Sequence, residues 1–195
     1  MHRSVKSDHR ECPVRSTGKD HRFRVEHAQI LHPDDQARFG KLGVIASMQP
    51  IHATSDMTIS DEHLGDRADR AYVFRNLLSS GARLAFGSDC PVEVIDPLVG
   101  LHAAVTRRRA DGSPGPDGWH ADQRLTVSEA LDGFTSGAAY AAGMENSLGS
   151  LTPGKLADAV VLGADPFRMS PDQLAQIPVL GTVVGGRFVW REQSL

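Results

Sequence analysis

The sequence has little cysteine, no long apolar run and no excess of charge of one sign, and each absence removes a class of protein. Cys12 and Cys90 are the only thiols in 195 residues, so a disulfide framework is excluded, and a chain of this length does not need one. Free thiols in a reducing compartment follow, which makes the cytoplasm the expected location. No stretch approaches the roughly 18 consecutive apolar residues of a membrane span, and the opening MHRSVKSDHRECPVR lacks the apolar centre of a secretory leader. The 21 Lys and Arg against 24 Asp and Glu leave a formal charge of −3, no footprint for nucleic acid or an anionic membrane. Neither is an expected partner. What is present, 40% hydrophobic and 23% charged residues with 19 Gly and 11 Pro, is the mix of an ordinary α/β chain with a buried core.

Residues 1–21 form a basic segment with seven Lys or Arg up to residue 24 and almost no large apolar side chains. It reads as a solvated, poorly ordered terminus, with a nucleic-acid arm as the alternative. From residue 22 the texture becomes that of strand–helix units. Strands are expected at 22–29, 44–50 and 82–89. Helices are expected at 33–43, between Pro33 and Gly43, at 66–81, and at 96–108, where Asp96 caps and Pro97 opens the first turn. The run 111–124 is rich in Gly and Pro and reads as a loop. Thr126 and Glu129 then have capping-box spacing ahead of a long helix to residue 143. Beyond Gly149 the pattern turns to short strands at 157–163, 179–186 and 187–192, with Gly185 and Gly186 in a hairpin turn. The expected division is therefore 1–21, strand–helix units over 22–148 and a β-rich segment over 149–195.

Two metal-capable residues close apolar strands: His27 after RFRVE and Asp89 after RLAFGS. In a barrel of parallel strands, side chains at the C-terminal ends converge on one face, where such folds place their sites. A histidine and an aspartate there can ligate a divalent ion, and the aspartate can take a proton from water. The alternative is structural: a hydrogen-bonded histidine, and an aspartate that turns the chain after Gly-Ser. Gln49, His52, Ser55 and Asp56 follow the middle strand and can line the same mouth, or lie in a solvated loop. Cys90 is expected to pack.

RVEHAQ (24–29), His32-Pro33, QPIHATSDM (49–57), GSDCPVE (87–93), GSLTPGKLADAVVLGADP (149–166) and TVVGGRFV (182–189) together resemble the metal-dependent amidohydrolase superfamily, and within it the amidohydrolase-3, YtcJ-like branch. The resemblance spans 22–195. It implies an α/β fold made of the C-terminal part of a (β/α)8 barrel, about strands six to eight, followed by strands of a small composite β-sandwich. It implies a divalent metal, zinc above others, with His27 as the strand-six ligand and Asp89 as the strand-eight ligand and proton shuttle. His52 and Asp56 become substrate contacts, and the activity becomes hydrolysis of carbon–nitrogen bonds other than peptide bonds in a small amide-type molecule.

Set against that pattern, the nine histidines include no His-x-His pair, and no strand-five histidine precedes residue 22. The expected ligand set is therefore incomplete in this chain, to be completed by another chain or by a homo-oligomer. The residues before RVEHAQ do not resemble the family, the mark of a truncated or rearranged frame. A catalytically inactive remnant or interaction fragment is the alternative function, and a small α/β binding module the third. A partial barrel also implies open strand edges with exposed apolar faces.

Overall fold

The computed structural model describes residues 21–193, so the basic segment expected over 1–21 lies outside them except for His21, which stacks on Phe23. Three parallel strands, β1 (Arg24–Glu26), β2 (Ile45–Met48) and β3 (Leu84–Phe86), form one sheet in that order. Helix α1 (Pro33–Leu42) makes the first crossover. The His32 side chain accepts from the Asp34 N–H, Pro33 occupies the first turn, and Gly43 ends the helix at φ 65°, a conformation that suits glycine. Ile45, Ala46 and Met48 are all buried, which is why β2 reads as a continuous apolar run rather than an alternating one. The strand β1 is exposed along its length, with Phe23 54% and Val25 41% accessible. Among the described residues β1 is an edge strand, paired with β2 alone. Strand β3 is buried throughout.

The second crossover departs from expectation in two places. Residues 49–56 are not a loop: Pro50 opens helix α2 (Pro50–Ser55), followed directly by α3 (Met57–Leu64). Proline is pre-organised for a first helical turn, and α2 buries Pro50, Ile51, His52, Ala53 and Thr54. The helix expected over 66–81 is split into a 3-10 turn (Gly65–Arg70) and α4 (Phe74–Ser79). Between them the chain is held in a bridge between Ala71 and Ile30, with the Tyr72 N–H bonded to the Gln29 carbonyl at 2.8 Å. A distant segment claims the backbone groups that a continuous helix would need.

Helix α5 (Pro97–Thr106) starts at the expected Asp96 cap and runs through the core. The Thr126–Glu129 capping box opens α6 (Val127–Asp132), which widens into a π turn (Gly133–Gly137) before α7 (Ala138–Ala141). The two glycines bounding that turn allow it to lie on β3. A Cβ at Gly137 would stand 2.1 Å from the Leu84 carbonyl oxygen, and one at Gly133 2.5 Å from the Phe86 ring. An antiparallel sheet follows, of β4 (Ala159–Leu162), β5 (Val179–Val184) and β6 (Arg187–Arg191). Gly185 and Gly186, both at positive φ, turn the β5–β6 hairpin as expected. The intervening 3-10 turn (Pro171–Gln176) buries Leu174, which joins the main core with Ile177. Among the described residues no helix is long and apolar enough to cross a membrane.

The Arg75 fork ties α4 to α6: its two terminal nitrogens each donate to a Glu129 carboxylate oxygen at 2.6 Å. Those bonds, helped by Thr126, hold the Glu129 carboxyl at about 2 against burial, which acts the other way. A carboxyl depressed in the folded state adds stability above its unfolded value, near 4.5, and that stability is lost as pH falls toward 2. Glu129→Gln is expected to lower stability at pH 7 by about 1–2 kcal/mol, allowing for solvent screening of a partly exposed pair. Urea midpoints of both proteins from pH 7 to pH 2.5 check this; the gap should shrink below pH 4.5.

Candidate metal centre

All three parallel strands deliver a polar side chain from their C-terminal ends. After β1 the chain reverses at His27 (φ 66°) and Ala28 (φ 44°), conformations that L-residues seldom adopt. The turn swings the His27 ring toward the end of β2, where its Nδ1 lies 3.0 Å from Gln49 Oε1. After β2, the first turn of α2 buries His52 to 6% exposure, its ring parallel to that of His27 at 5.9 Å. Beyond β3, Gly87 and Ser88 lead to Asp89, also left-handed at φ 58°. Its Oδ2 lies 4.0 Å from His27 Nδ1 and 3.9 Å from His52 Nε2.

One ligand atom from each of His27, His52 and Asp89 lies within 4.8 Å of the others. The separations are too long for hydrogen bonds and short enough for convergence on one cation. Among the described residues His52 Nε2 is buried with no hydrogen-bond partner, a costly state for a ring nitrogen unless something else satisfies it. Two imidazoles and a carboxylate are a donor set suited to a catalytic divalent ion, and the Gln49 contact to His27 is the kind of outer partner that fixes a ligating ring. The residues present therefore fit a metal.

The structure brings His27 and Asp89 together as a strand-end pair and adds His52, which the sequence placed in a loop among substrate contacts. Asp56 goes elsewhere. It lies one helical turn beyond His52, its N–H bonded to the His52 carbonyl at 2.8 Å. Its Oδ2 accepts from the Tyr72 hydroxyl and, at 3.2 Å, from Gln29 Nε2, which also donates to the Tyr72 oxygen at 2.8 Å. Burial, and then Asp56, push the Tyr72 phenol well above its ordinary range, so it remains a donor at neutral pH. Tyr72 and Gln29 were not legible as site residues, because only the Ala71–Ile30 bridge brings them to Asp56. Cys90 does not pack as expected but is exposed. It opens a loop in which Val92 and Ile95 are also exposed, tied back to α2 by the Ser55 hydroxyl on Glu93 Oε1 at 2.5 Å.

Compared with known proteins, the chain matches the profile of the family described as "Amidohydrolase family" over residues 12–190. It is 43% identical over 175 residues to Protein LONG AFTER FAR-RED 3 of Arabidopsis thaliana, covering 88% of this chain and 29% of that protein. It is 34% identical over 170 residues to the putative amidohydrolase YtcJ of Bacillus subtilis, covering 87% and 32%. The chain thus spans about a third of the length of these curated relatives. An uncharacterized metal-dependent hydrolase from Pyrococcus horikoshii superposes with a TM-score of 0.67 at 33% identity, over 76% of this chain and 30% of that one.

Proposed function

Because the chain belongs to the amidohydrolase family, in its YtcJ-like branch, we propose that it carries the cation-binding and proton-transfer residues of a metal-dependent hydrolase acting on non-peptide carbon–nitrogen bonds. The observation that carries this reading is the convergence of His27, His52 and Asp89 at the ends of three adjacent parallel strands. On this reading β1 to β3 are about strands six to eight of a (β/α)8 barrel, and β4 to β6 belong to a small β-sandwich. The exposed edge of β1 is where further strands would add, from a complementing chain or a second copy.

A divalent cation held by these residues, zinc in this proposal, supplies Lewis acidity toward the scissile carbonyl and acidifies water. His27 and Asp89 are its principal ligands. His52, whose buried Nε2 has no hydrogen-bond partner among the described residues, is the third donor rather than a substrate contact. The Asp89 side chain, 37% exposed, can reach solvent. It takes the proton of the attacking water and delivers it to the leaving nitrogen as the carbon–nitrogen bond breaks, so that acid and amine result. Asp56, held by Tyr72 and Gln29, contacts the substrate.

Zinc-reconstituted chain, assayed for amine release against a panel of N-acyl amines and carbamates, should hydrolyse at least one of them, and Asp89→Asn should abolish the release. Stoichiometric zinc with no turnover on any member would overturn the proposal in favour of an inactive relative.

A further inference from the structure

Next to the cluster of His27, His52 and Asp89 is a cavity of about 330 Å3 whose lining includes Gln29, Ile30, Asp56, Ile59 and Tyr72, with Ser60 and His63 also on its wall. It is built on the same two segments as that cluster. Gln29 follows His27 by two residues, and Asp56 follows His52 by one helical turn, a rise of about 6 Å.

The polar wall of this cavity has spent its donors. Asp56 can only accept, which fixes the Gln29 side chain with Nε2 toward it. That nitrogen donates to Asp56 and Tyr72, and the Tyr72 hydroxyl donates to Asp56. Asp56 Oδ1 and Gln29 Oε1 have no hydrogen-bond partner among the described residues, and no Lys or Arg there pairs with Asp56. His63 donates its Nδ1 proton to the Ile59 carbonyl at 3.1 Å, so that donor too is already taken. Only the Ser60 hydroxyl can serve either way. The same cavity is also lined by Ile30 and Ile59, 53% and 56% exposed, large apolar side chains that a ligand would cover.

We propose that this cavity selects the substrate, and that it takes an ammonium or similarly donor-rich cationic group carried on a short apolar stem. The cation would meet Asp56 Oδ1 and Gln29 Oε1, and the stem would lie between the two isoleucines. That the occupant is a substrate rests on the hydrolase reading; the preference for a cation does not.

Benzylammonium and benzyl alcohol share a stem and differ in charge. Titrated into the full chain at pH 7 and followed by NMR on the isoleucine methyl groups, benzylammonium should bind roughly tenfold more tightly or better. The shifts should centre on Ile30 and Ile59. Asp56→Asn should erase the preference while leaving the affinity for the alcohol, and Ile59→Trp should weaken both ligands. Treatment with chelator, or His27→Ala, should leave the preference intact, so that loss of metal or turnover is separable from failure of the cavity. Equal affinities for the two ligands, shifts centred elsewhere, or an unchanged preference in Asp56→Asn would overturn the inference.

Discussion

Asp89→Asn is expected to reduce bound divalent metal from near one ion per chain to a small fraction of that, and His27→Ala to do the same. The carboxylate is the only anion in the cluster, and an amide of the same shape offers a neutral oxygen in its place. Removing a partner that merely orients a metal ligand costs about 10–100-fold in affinity, and removing a ligand itself costs more. Elemental mass spectrometry on dialysed, size-exclusion-purified protein measures the occupancy, and calorimetric zinc titration measures the affinity. Loss by at least about 100-fold is expected for Asp89→Asn and His27→Ala, with roughly tenfold for Gln49→Ala, which frees the His27 ring. His52→Ala distinguishes a third donor from a bystander: as a donor it behaves like His27→Ala. Metal content unchanged in Asp89→Asn would remove the basis for a metal centre in this chain.

Arg107→Ala is expected to be the most damaging single change to the fold, by about 3–5 kcal/mol. Arg107 is fully buried, at the C-terminal end of α5. Its Nε donates to the Trp119 carbonyl at 2.9 Å and its Nη1 to the Tyr72 carbonyl at 3.2 Å, and the guanidinium lies 5.0 Å from the ring centres of both Phe74 and Trp119. Burial pulls its pKa down to about 10, still charged at neutral pH. Truncation leaves the Trp119 carbonyl without a donor, leaves the Tyr72 carbonyl with the Phe74 N–H alone, and opens a void between aromatic rings. It also releases Tyr72, whose hydroxyl holds Asp56. Arg107→Met, which keeps the stem volume and removes the buried charge, should cost less. Urea midpoints at unchanged m-value test both, and equality of Arg107→Ala with wild type would refute the account.

Local signals explain how much was legible beforehand. Pro33 with Gly43, Asp96 with Pro97, Thr126 with Glu129, and the Gly185-Gly186 turn each work within a few residues of chain. Their geometry is written into capping side chains that bond the nearby backbone and into glycines that accept positive φ. The strand positions follow because β3, and β2 apart from Ser47, are buried and apolar. The misreadings share the opposite property. Helix α2 is stabilised by burial of Ile51 and His52, which its short sequence does not announce, and the 66–81 helix is broken by pairing of Ala71 with Ile30. Nothing in the run Arg107-Arg108-Arg109 marks its first member for the core.

Period, caps and turns act over short range, and they suffice for an α/β chain with three strand–helix units, a β-rich end and polar residues closing the apolar strands. Tertiary structure decided which of those polar residues meet. His52 joins His27 and Asp89 because parallel pairing aligns three strand ends, while Asp56 is turned to Tyr72 because a bridge from Ile30 to Ala71 carries that ring across. Both arrangements rest on pairings between residues far apart in the chain, whose free energy belongs to the assembled core and to no single segment.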